Sequence, residues 1–157
     1  MEREKVKEMK ILIATDGSDF SKAAVIKSCE FIKPEITQIK IISAFEDPPP
    51  IAAEPFIGSG EYYQQVEDGL NVLAQSNVKE AETELRKRFP GKELDLTTEV
   101  LRGFPDRAII EKASEWKADL IVVGSHGRGF WGRLLGSVSD GVVHHAPCSV
   151  LVVRRSA

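Results

Sequence analysis

The segment Gly124 to Ser139, GSHGRGFWGRLLGSVS, carries five glycines. It follows an apolar run, Asp119 to Val123, and precedes a short helical pattern over about Leu134 to His145. Glycines let a backbone approach a ligand closely and take conformations closed to other residues. The amides of such a loop, with a helix N-terminus behind them, form an anion site. Ser137 and Ser139 add two hydroxyls suited to phosphate oxygens. A tight packing turn would need fewer glycines, so the segment reads as a phosphate-binding loop.

A second cluster, Ala14-Thr15-Asp16-Gly17-Ser18, ends the apolar run Lys10 to Thr15. Asp16 there could accept bonds from ribose hydroxyls or hold Mg²⁺ against phosphates. It could equally close an Asx turn or cap the next helix, as could Ser18, Asp19 and Ser21. Local sequence leaves both readings open.

Other arrangements carry less. Gly127-x-Gly129-x-x-Gly132 matches the dinucleotide fingerprint as a string, but it sits before the last strand and Ser149 to Val153 offers no acid for a ribose. No Gly-Lys is followed by Ser or Thr, and no Gly-x-Ser-x-Gly occurs. His126 lies in the loop without a nucleophile and orienting partner, which suits phosphate contact or loop structure better than catalysis. His144 and His145 point about 100° apart on a helix, so with Cys148 they make a poor metal set. Phe130 and Trp131 fit a partner surface or a loop anchor equally.

These residues need elements to hold them. Helical patterns over Ser21–Ile32, Glu61–Phe89 and Pro105–Trp116 alternate with strand patterns over Ile39–Phe45, Leu94–Leu101 and Cys148–Val153. Gly69 and Asn77 are weak points in the long helix. The continuous apolar runs fit strands buried on both faces. The order β-α-β-α-β-α-β-α-β implies an α/β fold with a parallel sheet and right-handed crossovers. Ligands of such sheets lie beyond the carboxyl ends of the strands, at the switch in strand order. A single domain over 1–157 is expected, with a charged lead-in at 1–8 and a proline-rich loop at 46–60.

Bulk composition narrows the class. With 21 basic and 24 acidic residues the chain has a net charge of −3, which argues against general nucleic-acid or membrane-surface affinity. Cys29 and Cys148 make no disulfide framework, in keeping with a reducing cytoplasm. Met1 to Lys10 is charged and lacks the apolar core of a signal peptide, and no run reaches the ~20 apolar residues of a membrane span. The apolar last strand suits a sheet edge that a second copy would cover.

ILIATDGSDFSKAA near the start, RGFPDRAIIEKASEWKADLIVVGSHG, and LLGSVSDGVVHHAPCSVLVV at the end resemble the universal stress protein family. The resemblance covers nearly the whole chain and is weakest between Asp47 and Leu94. It implies a five-stranded parallel sheet of order 3-2-1-4-5 with helices on both faces, and a homodimer through 148–153. It also implies an ATP-binding or adenine-nucleotide-binding regulatory protein of the stress response, with at most slow hydrolysis. The alternative is a dimeric interaction protein of the same fold without nucleotide.

ATP-binding members carry Gly-x2-Gly-x9-Gly-Ser/Thr. By that match Gly124, Gly127, Gly136, Ser137, Val138 and Ser139 would hold phosphates. Ala14, Thr15, Ala44 and Val123 would line the adenine and sugar pocket. Asp16 would meet ribose or a nucleotide-bound magnesium, and His126 and Arg128 fall within the same set. One departure stands out: eight residues, not nine, separate Gly127 from Gly136. One residue turns a helix by about 100°, so the register of the phosphate contacts depends on how the loop closes.

Overall fold

The computed structural model describes residues 6–48, 59–127 and 134–155. Five strands and four α-helices alternate. They are β1 (Met9–Ala14), α1 (Asp19–Ser28), β2 (Thr37–Phe45), α2 (Ser59–Lys87), β3 (Asp95–Arg102), α3 (Pro105–Trp116), β4 (Leu120–Gly124), α4 (Ser137–His145) and β5 (Ser149–Val153). All pairings are parallel, and the sheet order is β3-β2-β1-β4-β5.

The apolar runs give β1 and β4 their central places. Successive side chains point to opposite faces. Ile11 and Ile13 join Ile39, Ile41 and Val122 under α1 and α2, while Leu12 joins Ile42, Ile121 and Val123 under α3 and α4. Each strand thus feeds two cores, and helices cover both faces.

Helix boundaries differ modestly from expectation. Ser18 caps α1, accepting from the Ser21 N–H at 3.3 Å, so that helix begins at Asp19. Its end tightens into a 3₁₀ turn, Cys29–Phe31, before Pro34. Neither Gly69 nor Asn77 breaks α2, because burial of Ala74, Val78, Ala81 and Leu85 against the sheet outweighs their propensity cost. α4 starts at Ser137 rather than Leu134, since Gly136 has extended backbone and serves as its N-cap. At the β3–α3 turn Gly103 has φ 138°, a conformation that favours glycine.

Candidate functional site

β1 and β4 lie side by side, but the chain leaves them toward opposite faces, to α1 and to α4. A crevice opens beyond their carboxyl ends, where open α/β sheets bind ligands. The cavity there is about 350 Å³. It falls in the range of about 300–1,000 Å³ typical of small-molecule sites.

All the expected site residues within the described chain line this one cavity. Ala14, Thr15 and Asp16 come from the end of β1 and its turn, and Ala44 from β2. Val123, Gly124, His126 and Gly127 come from the end of β4. Gly136, Ser137, Val138 and Ser139 form the start of α4. Arg128, with Phe130 and Trp131, lies outside the described residues. Sequence reasoning missed the opposite wall: Ile42, Pro105 and Ile109 complete an apolar side suited to a planar base. Only the packing of α3 against β2 brings Pro105 and Ile109 there, and no local motif announces that.

Three glycines are tight for physical reasons. A Cβ on Gly124 would stand 2.7 Å from the Phe20 carbonyl carbon, so glycine lets α1 pack on β4. A Cβ on Gly127 would stand 2.9 Å from Asp16 Oδ2, and this glycine keeps the floor of the crevice open beside the carboxylate. A Cβ on Gly136 would come within 3.2 Å of the His126 Cα.

The loop closes despite its missing residue. The Gly136 N–H donates to the Ser125 carbonyl at 2.8 Å, and the Ser139 hydroxyl donates to the same carbonyl at 2.7 Å. The Ser125 N–H in turn donates to Val153 O of β5 at 2.9 Å. These bonds dock α4 directly on the end of β4. With eight residues rather than nine after Gly127, the start of α4 still lines the crevice.

Ser137 and Ser139, alike in sequence, part company here. Ser139 is buried and spends its hydroxyl on the Ser125 carbonyl, with Gly136 O at 3.0 Å as a second acceptor. Ser137 is exposed on the first turn. Among the described residues no side chain caps α4, and Ser137, Val138 and Ser139, whose amides lie at the positive end of the helix dipole, line the cavity.

Asp16 takes the turn-forming reading, and its second oxygen stays at the crevice. Its Oδ1 accepts the Ser18 N–H at 2.9 Å, which makes an Asx turn, while its Oδ2 faces Gly127 across the crevice. Thr15 is buried, with its Oγ1 3.0 Å from Ser21 Oγ.

His126 is a structural member of the loop. Its Nε2 donates to the Leu134 carbonyl, and its Nδ1 lies 2.9 Å from Ser125 Oγ. The carbonyl can only accept, so Nε2 carries a hydrogen. Its ring packs 5.0 Å from the Phe20 ring. His126 thus clips both ends of the loop together. Farther along α4, His144 and His145 point their Nδ1 atoms at the carbonyls of Asp140 and Gly141, with ring centroids 6.4 Å apart.

Comparisons with known proteins agree with this architecture. The universal stress protein family model matches residues 9–154. Universal stress protein MJ0531 of Methanocaldococcus jannaschii is 35% identical over 147 residues, covering 93% of this chain and 82% of the relative. The solved structure of hypothetical protein MJ0577 superposes with a TM-score of 0.77 at 25% identity, covering 97% of this chain and 99% of that one. A universal stress protein solved in complex with cAMP superposes with a TM-score of 0.62 at 27% identity, covering 96% and 99% of the two chains. The chain belongs to the universal stress protein family.

Proposed function

We propose that the protein binds ATP or a related adenine nucleotide in the crevice between β1 and β4 and acts as a regulatory protein of the stress response rather than as an enzyme. One observation carries the reading. The uncapped N-terminus of α4 and the glycine-lined end of β4 open onto the same cavity as an apolar wall of Ile42, Pro105 and Ile109. Phosphates suit the first and an adenine ring the second. The cAMP complex of a family member supports the same ligand class.

In this reading the free amides of α4 and Ser137 hold phosphate oxygens. Ala44, Val123 and Val138 pack the base and sugar. Asp16 supplies a carboxylate to the ribose or to a nucleotide-bound Mg²⁺. Among the described lining residues, the titratable groups that could activate water are His126, held by Ser125 and Leu134, and Asp16, held by the Ser18 amide on one oxygen and in this reading by the nucleotide on the other. Turnover is slow on this account, and occupancy itself is the signal.

The β5 edge supports a homodimer. β5 pairs only with β4 among the described strands, and Val150, Leu151 and Val152 stay partly exposed. A second copy would cover this edge. The same observation favours the second reading, a nucleotide-free dimeric interaction protein.

Acid extraction of the purified protein, with mass identification of any released nucleotide, separates the two. Stoichiometric ATP or ADP supports the first. An empty extract, with no thermal shift at millimolar ATP, supports the second. Sedimentation in both states reads the dimer.

A further inference from the structure

A second cavity, about 590 Å³, lies between α1 and α2 on the other face of the sheet. It shares only Thr15 with the nucleotide crevice. Its walls are apolar where Val25, Ile26 and Ala81 meet. Asn77 stands among them. It sits in the buried band of α2 with Ala74, Val78, Ala81 and Leu85, where the pattern calls for an apolar side chain.

Asn77 is only 7% exposed, yet its amide makes no hydrogen bond among the described residues. Among those residues no unbonded polar side-chain atom is sealed from solvent, so the Asn77 amide keeps its access through the cavity it lines. With no partner among the described residues, that amide is left to solvent in the cavity, where a ligand group can replace the water.

The rim settles the charge of that group. Both acidic rim residues are taken: Glu80 lies 3.8 Å from Lys22, and Glu84 pairs with Arg88 and Lys87. Lys79 has no carboxylate partner among the described residues. An amide N–H donor and an uncompensated ammonium at one apolar cavity select a carboxylate on an apolar body. The Lys22–Glu80 pair is long and more than half exposed on both sides, so it opens at little cost.

We propose that the α1–α2 cavity is a second ligand site, which takes a small monocarboxylate with an aliphatic or aromatic body. The carboxylate accepts from the Asn77 amide within the field of the Lys79 ammonium at the edge of the cavity, and the body lies on Val25, Ile26 and Ala81. Thr15 and Gly17 line the mouth of this cavity, so its occupant touches the turn that also borders the nucleotide crevice.

Hexanoate and its neutral counterpart hexanamide are the probes. Titration into isotope-labelled protein, read by backbone amide NMR, is expected to move Lys22, Ile26, Asn77 and Ala81 saturably with hexanoate and far less with hexanamide. Asn77→Asp, nearly isosteric but charged, weakens hexanoate by about tenfold or more. Lys79→Glu, at an exposed position that leaves the fold alone, does the same. Absence of movement at these residues with millimolar hexanoate overturns the proposal. So does an unchanged response in both variants, or an equal response to hexanamide.

Discussion

The Ser139 hydroxyl donates to the Ser125 carbonyl across 2.7 Å, joining the first turn of α4 to the residue just after β4. The carbonyl also accepts the Gly136 N–H, so one oxygen fixes both the start and the first turn of the helix. Ser139→Ala removes a buried hydrogen bond but leaves the Gly136 bond in place. The expected loss is about 1–2 kcal/mol of stability, read as a lower urea midpoint at unchanged slope. If the crevice holds the proposed nucleotide, affinity falls with it, because the α4 amides lose one of their two anchors on the Ser125 carbonyl. Ser137→Ala, at an exposed position with no cap bond, changes stability by less than about 0.5 kcal/mol and weakens only nucleotide binding. Equal stability losses in the two variants would contradict this division of labour.

Gly127 and Gly136 separate ligand binding from folding. Gly136 has φ −66°, which any residue adopts, but its added Cβ would press on the His126 Cα and the Ser125 carbonyl. Gly127→Ala places a methyl 2.9 Å from Asp16 Oδ2, at the floor of the crevice. Both Gly127→Ala and Gly136→Val are expected to abolish the thermal shift produced by ATP while keeping the far-UV circular dichroism of the parent. A parent-like shift in both variants would contradict the proposed phosphate site.

Much of this architecture is legible in sequence because it rests on local signals. LIVVG and ILIA read as doubly buried strands, and Pro105 marks the first turn of α3. The stretch from Gly124 to Ser139 announces a loop made for close approach. The rest depends on tertiary packing. Ser137 and Ser139 look interchangeable until the position of the Ser125 carbonyl is known. Pro105 and Ile109 join the site only through the crossover from β3, and Asn77 reads as a weak point in a helix until α1 is seen beside it. Eight residues rather than nine between Gly127 and Gly136 leave the register of α4 open in the sequence. The Ser125 carbonyl fixes where α4 begins, and no spacing rule states that.

α2 offers a test of propensity against packing. A Cβ on Gly69 meets nothing within 4 Å, and the residue lies inside the helix. Gly69→Ala is therefore free of strain, and it lowers the conformational entropy of the unfolded chain. The expected gain is about 0.5–1 kcal/mol, a rise of a few degrees in melting temperature. Nucleotide binding should not change, because Gly69 lies outside both cavities. A loss of stability would mean that this part of α2 is not helical in solution.

Asp119 makes stability depend on acid pH. Its carboxylate accepts the Lys10 N–H at 2.9 Å and lies 3.3 Å from Lys7 Nζ, so it ties the start of β4 to the start of β1. The Lys10 N–H holds this carboxyl below its ordinary range. Burial opposes the effect, and the Lys7 and Lys10 charges reinforce it. A carboxyl with a depressed folded pKa binds fewer protons folded than unfolded, so stability rises with pH through that window. The contribution is complete above the ordinary aspartate pKa of about 3.9 and is lost as pH falls through the lower folded value. Asp119→Asn keeps the shape and removes the charge. Urea midpoints across the acid range should show the variant weaker than the parent at neutral pH, with the gap closing as both are acidified. A constant gap at every pH would assign the loss to packing at the β1–β4 junction rather than to the ionised carboxylate.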